Sequence, residues 1–398
     1  MTTPSPAGLW SREAAVVFGL AMGPAVGIGL GRFGYALILP AMREDLGWSL
    51  TAAGWLNGAN AAGYLLGALV AAAAMRRLGG FGALATGVAL ATLGIIGCAF
   101  TSDLALLAAL RALAGLGAAF ANVAGAVLVS AAVTGGGGLL LGLFYGLPGL
   151  ALILSGAALP LHFAHAGPTA WREAWALLGA LAVLLALPVA LARRTTAPPP
   201  RPPGSGGGAG APLRPMLAIL LGHAGFGVGY SGYMTFMFAW AHESFADPRA
   251  EAALWMTIGA GGLASTWIWA RMMERAAPAR TFAAATGVCA AAAALPLAGA
   301  HPFWGFASAA LFGASFLTAV AATTQFMRVS LEPAAWARGV AAITIAFSLG
   351  QTAGPVVSGF AGDQFGGLGP TLAVSAATLA LGAALGLAQR DLRAGRGG

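Results

Sequence analysis

The sequence predicts an all-α membrane protein, with twelve transmembrane helices in two pseudo-symmetric six-helix bundles. Three observations predict it. Of 398 residues, 59% are hydrophobic and only 8% charged, with a mean hydropathy of +0.82. Soluble domains carry about a quarter charged residues, so this chain cannot cover a soluble surface. Its apolar residues fall into runs of the length a bilayer demands, about 20 residues for a helix. Those runs divide into two sets of six around a stretch that cannot bury a core.

The runs cover about 14–40, 52–74, 81–100, 104–131, 138–162, 173–192, 215–240, 252–271, 281–299, 302–327, 338–361 and 368–388. The first is too long for a cleaved signal sequence and lacks a short polar cleavage region. Between the sixth and seventh lies "RRTTAPPPRPPGSGGGAGAPLRP", dominated by proline, glycine and serine. This composition predicts a flexible cytoplasmic linker over 193–214 between bundles at 1–192 and 215–398.

Charge sets the orientation. With the N-terminus in the cytoplasm, fifteen arginines flank the spans on the cytoplasmic side and only Arg43, Arg172 and Arg249 lie outside. The positive-inside rule therefore predicts cytoplasmic N- and C-termini. All twenty basic residues are arginine, which fits a GC-rich bacterial genome. The +8 charge does not point to nucleic acid, because these arginines sit at span ends and form no basic stripe interleaved with aromatics. Cys98 and Cys289 lie inside apolar spans and read as small hydrophobes.

The two halves repeat. "GIGLGRFGY" at 27–35 matches "GFGVGYSGY" at 225–233, so Gly27, Gly29, Gly31, Gly34 and Tyr35 recur as Gly225, Gly227, Gly229, Gly232 and Tyr233. Trp55 and Trp255 follow at nearly the same offset. Parallel six-span repeats are a known transporter design, with the substrate site between the halves near mid-membrane.

Two arginines, Arg32 and Arg111, lie within spans. Arg32 precedes Pro40 by eight residues and Arg111 follows Asp103 by eight, which puts both roughly 12 Å below the outer face. An intramembrane arginine costs at least ~2.5 kcal/mol on insertion scales. Neither has an acidic neighbour within a turn or two on its own helix. A bound anion would supply the counter-charge, since a guanidinium fork matches a carboxylate; ties to backbone carbonyls are the structural alternative. Tyr35 follows Arg32 by three residues, and in the repeat Tyr230 and Tyr233 take the positions of Arg32 and Tyr35. Asn122, eleven residues past Arg111, returns to the same helical face.

Asn57, Asn60 and Tyr64 form one polar stripe and Thr344, Ser348 and Gln351 another, for which interhelical hydrogen bonding is the plain account. No aspartate or glutamate lies deep in a span, which leaves His223 as the sole candidate for proton coupling. A hydrogen bond between helices is the alternative role for that histidine. Trp255, Trp267 and Trp269 read as interface anchors near span ends.

Twelve spans, two halves and a long central loop resemble the major facilitator superfamily over nearly the whole chain. "GLGRFGYALILPAMREDLGWS" followed by "GWLNGANAAGYLLGAL" is similar to its YbfB/YjiJ-type subgroup, and "RALAGLG" at 111–117 is similar to the superfamily's R-x-x-x-G-x-G motif. The resemblance implies a secondary transporter working by alternating access in a bacterial inner membrane, with Arg32 and Arg111 facing one cavity. Two features depart from the pattern. "GALVAAAAMRRLGG" lacks the acid usual in the loop after the second helix. The antiporter-associated G-x-x-x-G-P pattern is missing from the fifth span, while "GQTAGPVVSG" appears in the eleventh.

These readings converge on a carrier for a small organic solute, with an organic anion as the expected class. Arg32, Arg111, Tyr35, Tyr230, Tyr233 and Asn122 are the candidate substrate-binding residues. Proton-driven efflux of amphipathic compounds is the alternative, and a non-transporting sensor or scaffold is the alternative from another class. The chain carries no motif of an enzyme. No cofactor or metal is expected; the expected partners are the small-molecule substrate and the lipid bilayer, not nucleic acid. A monomer is the expected oligomeric state.

Overall fold

The structure is a computed structural model that describes residues 12–132, 138–193, 213–245, 247–332, 335–390 and 392. The predicted linker at 193–214 lies almost entirely outside the described residues. Among those described there is no strand. In chain order the helices are α1 (Arg12–Pro24), a π-helical segment (Ala25–Phe33), α2 (Gly34–Leu46), α3 (Leu50–Gly97), α4 (Leu104–Ala132), α5 (Gly138–Gly146), α6 (Pro148–Ala166) and α7 (Trp171–Ala192). The second half holds α8 (Leu217–Phe245), α9 (Pro248–Ile268), α10 (Ala270–Arg275), α11 (Pro278–Ala294), α12 (Pro302–Ser330), α13 (Trp336–Phe365) and α14 (Leu368–Ala388).

Nine of the described helical stretches are long and apolar enough to cross a membrane, against twelve runs in the sequence. One of the nine, Leu50–Phe100, joins the second and third runs. It is broken at Gly79, whose φ of 74° is a left-handed value that side chains with a Cβ rarely adopt. Helices α8 and α9 fall outside the nine. Both have the length, but α8 dilutes its apolar residues with glycine, tyrosine and His223, and α9 opens with Arg249 and Glu251.

Local chemistry fixes the helix ends. Ser49 caps α3 by accepting the Ala52 N–H, and Asp247 caps α9 by accepting the Arg249 N–H. Gly47 ends α2 at φ 63°. The π-helical segment reads "AVGIGLGRF"; it passes into α2 at Gly34, whose N–H is shared between the Gly29 and Leu30 carbonyls. Such wide turns are rare and cluster at functional sites.

The first half packs around α3 and α4, which lie against each other along their length. They approach closely where Gly115 meets Asn60: a Cβ on Gly115 would sit 1.9 Å from the Asn60 carbonyl oxygen. The second half packs α8 against α13 and α14, and α11 against α12 and α14. Across the halves, α3 lies on α13 and α6 on α9. The helix ends define two sides of the molecule. The chain enters at Arg12 and leaves α14 on one side, called the terminal side below; the short turns at 46–50, 166–171, 245–248 and 365–368 lie on the other, distal side.

Two of the tryptophans read as interface anchors differ in setting. Trp267 is exposed, whereas Trp255 is fully buried and packs edge-on against Phe238.

Candidate functional site

Arg32 stands at the end of the π-helical segment and is 7% exposed. Its Nε donates to Asn60 Oδ1 at 3.1 Å, and its Nη1 donates to Gln351 Oε1 at 2.6 Å. The guanidinium lies over the Tyr64 ring, 4.8 Å from its centroid. Nη2 is buried and has no hydrogen-bond partner. The charge is thus held by neutral groups from α3 and α13, one from each half, and one of its nitrogens stays open.

Arg111 is 1% exposed and lies behind Arg32. Its Nη1 donates to the Gly31 carbonyl. Its Nη2 reaches the Arg32 carbonyl at 3.5 Å and Asn57 Oδ1 at 3.0 Å. The Tyr35 and Trp175 rings flank it at 4.8 and 5.5 Å. The two arginines are neighbours, then, but their side chains address different partners. Arg111 uses both terminal nitrogens inside the first half. No carboxylate pairs with either guanidinium among the described residues.

Amides extend this cluster. Asn60 Nδ2 donates to the Arg111 carbonyl at 3.0 Å, and Asn57 Nδ2 donates to Thr235 Oγ1 of α8 at 2.6 Å. Hydrogen bonds therefore run from Arg111 through Asn57 to the second half, and from Arg32 directly to it. The amide stripes of the sequence supply these partners. What the sequence conceals is that Gln351 meets Arg32 across 319 residues. The only signal was an amide inside an apolar run.

The remaining candidates divide between gap and packing. The Tyr230 hydroxyl lies beside the Arg32 guanidinium. Its ring sits among Phe33, Phe226, Phe316 and Phe347, with centroids 5.6–6.2 Å away. Asn122 is half-buried and its Nδ2 donates to the Tyr64 hydroxyl at 2.9 Å, so it joins Arg32 through Tyr64 rather than through Arg111. Tyr35 donates to the Ala53 carbonyl at 2.9 Å, and the Tyr233 and Ser308 hydroxyls share a hydrogen bond at 2.8 Å, so both tyrosines tie helices within their own halves. His223 is boxed by Phe226, Phe282 and Phe347, and its Nδ1 has no partner.

Distal to this cluster the halves are tied together. Asp363, near the end of α13, accepts the Leu50 and Thr51 N–H groups at 2.8 and 2.9 Å and the Thr51 hydroxyl at 2.5 Å. Its carboxylate thus caps the N-terminus of α3 from the opposite half, where the helix dipole favours negative charge. Arg43 and Glu243 add a cross-half ion pair at 4.0 Å. The described residues hold no group of acids, cysteines and histidines able to bind a metal.

The family described as "uncharacterised MFS-type transporter YbfB" matches residues 24–387. The chain belongs to this YbfB-type family of the major facilitator superfamily. Family membership makes it a multi-pass membrane protein and a secondary transporter. The YbfB-type chain shares its fold with a bacterial homolog of the human lysosomal transporter Spinster in an inward-facing, unoccupied conformation (TM-score 0.68, 16% identity, covering 97% of this chain and 99% of that one). The occupied, inward-facing form of the homolog gives a TM-score of 0.69 at 14% identity, covering 97% of each chain. The nucleoside transporter NupG, in a point-mutant form, gives 0.71 at 12% identity, covering 94% of this chain and 98% of that one. No curated protein matches the chain. In this YbfB-type protein the cluster around Arg32 lies where the two halves meet.

Proposed function

We propose that the protein carries a small organic anion across a bacterial inner membrane by alternating access. In this reading the chain makes twelve passes: α3 crosses twice about its break at Gly79, and α8 and α9 cross despite their lower hydropathy. Both termini are cytoplasmic, and residues 1–192 rock against 215–398. The distal side then faces outward, and the ties of Asp363 and Arg43 belong to an inward-facing state.

The observation that carries the reading is Arg32 Nη2: a buried donor of a charged group between the halves, with only the Tyr230 hydroxyl beside the guanidinium and no carboxylate paired with it among the described residues. An uncompensated charge of this kind is costly in a membrane. An anion arriving from solution supplies both the counter-charge and the missing acceptor. Tyr230 and Asn122, through Tyr64, complete the site. Arg111, Tyr35 and Tyr233 hold its walls. Rocking must break the bond from Arg32 to Gln351, so occupancy of Arg32 and closure of the gap are linked.

Uptake of radiolabelled organic acids into proteoliposomes tests this. Arg32→Gln, which keeps a polar side chain and removes the charge, is expected to abolish anion uptake. Full uptake by that variant would refute the proposal.

A further inference from the structure

The donors around Arg32 permit a narrower statement about cargo, one that rests on the organic-anion reading above. Two guanidiniums close together suggest a site for two negative charges. The geometry argues otherwise. Both terminal nitrogens of Arg111 are consumed by the Gly31 and Arg32 carbonyls and by Asn57. The one nitrogen of Arg111 left over, Nε, is buried, in a residue 1% exposed and flanked by Tyr35 and Trp175. Among the described residues, Arg32 has the charged donor left without a partner between the halves.

The walls add a second constraint. Tyr230 brings a hydroxyl to the same guanidinium, and its ring belongs to a buried aromatic cluster drawn from both halves. Phe33, Phe316 and Phe347 complete that cluster, with Phe347 only partly buried, and these rings are the surface that separation of the halves would uncover beside Arg32. A carboxylate has two oxygens, and here it meets two donors, Arg32 Nη2 and the Tyr230 hydroxyl. A flat ring attached to it would meet rings. A second carboxylate would meet phenylalanines and lose its hydration without gaining a partner.

We infer that the site takes an aromatic monocarboxylate and excludes dicarboxylates. Arg32 and Tyr230 hold the carboxylate, and Phe33, Phe316 and Phe347 hold the ring.

The test is a binding panel on the purified full chain, using thermal stabilisation and proteoliposome uptake with 3-phenylpropionate, hexanoate and succinate as probes. The wild-type protein is expected to prefer 3-phenylpropionate to succinate by at least tenfold, and to hexanoate by severalfold. Tyr230→Phe should weaken 3-phenylpropionate about tenfold, as loss of one hydrogen bond to an ionised group does. Phe347→Leu should bring 3-phenylpropionate and hexanoate together while binding still requires Arg32. Succinate bound as tightly as 3-phenylpropionate by the wild-type protein would overturn the single-charge assignment, and equal binding of hexanoate would overturn the aromatic wall. Both results leave the organic-anion reading standing if Arg32→Gln still abolishes binding. Undiminished binding of all three probes by a folded Arg32→Gln protein would remove that reading and this inference together. The wild-type comparison needs no substitution, so a variant that fails to fold cannot decide the outcome.

Discussion

The first and seventh spans share their glycine spacing and closing tyrosine, yet they fold differently. Residues 25–33 form a π-helical segment, whereas 217–245 are α-helical throughout. The tyrosines that close the repeat keep one job. Tyr35 bonds to α3 and Tyr233 to α12, each within its own half. Three residues earlier the halves part: Arg32 faces the gap with a charge, and Tyr230 faces it with a ring and a hydroxyl. The repeated spacing thus keeps a packing tyrosine in both halves and differs at the position three residues before it. One side brings a charge to the contact between the halves and the other brings rings.

Substitutions on either wall put this contrast to the test. The largest effect is expected from Arg111→Met, which removes the tie between α4 and the π-helical segment. Hydrogen bonds to charged groups contribute on the order of 2 kcal/mol each. Thermal unfolding in detergent should show the variant melting well below the wild-type protein, while Arg32→Met, which loses two such bonds but also a buried charge, melts between the two and fails to respond to anions. Equal melting of the two would erase the distinction between a structural and a gap-facing arginine.

Exchanging the walls comes next. The double variant Arg32→Tyr with Tyr230→Arg keeps composition and charge but takes the guanidinium away from Asn60. Uptake is expected to fall at least tenfold. Wild-type uptake would mean that the walls are interchangeable.

A smaller change is expected at the distal tie. Asp363→Asn keeps the shape and loses the charge that caps α3 from the other half. Ala52→Cys, beside the tie but with no side chain in it, should then label severalfold faster with a membrane-impermeant maleimide. Cys98 and Cys289 are fully buried and contribute little background. Unchanged labelling would show that the apolar contacts of α3 with α13 hold this side without help.

The smallest effect concerns His242, two residues past the seventh apolar run and half-exposed. Its hydrogen bonds to the Glu251 carboxylate, at 3.1–3.2 Å, raise its pKa above the usual imidazole value, against a smaller opposing effect of burial. The nearby Glu44 and Glu243 carboxylates act in the same direction as Glu251. A raised folded-state pKa stabilises the protein fully below about 6.5, the unfolded value, and that share is lost as pH rises through the folded value. Melting temperature should decline slightly across this window, and His242→Gln should flatten the decline.

The all-helical, membrane-spanning character of the chain and the standing of Arg32 as an oddity were legible in the sequence. Each depends on local composition, which a linear reading registers directly. The break at Gly79 was not legible as such, because glycine occurs throughout these helices and only one φ value turns the chain. Nor could spacing separate the two arginines. Both sit eight residues from a span boundary, and what distinguishes them is the partners of their nitrogens, supplied by Gly31, Asn57 and Gln351. Asn122 shows the same limit: its place on the Arg111 face of α4 holds by helical arithmetic, but Tyr64 takes its amide.

The wide turn ahead of Arg32 makes the aim of that side chain depend on how residues 25–33 are wound. Tightening them to ordinary α-helical geometry with no residue lost would carry the chain beyond them round by about 100° for each residue the wide turn absorbs. Everything before the turn would stay docked on its neighbours while the guanidinium swung away from Gln351. The winding of this one segment is thus what aims the charge.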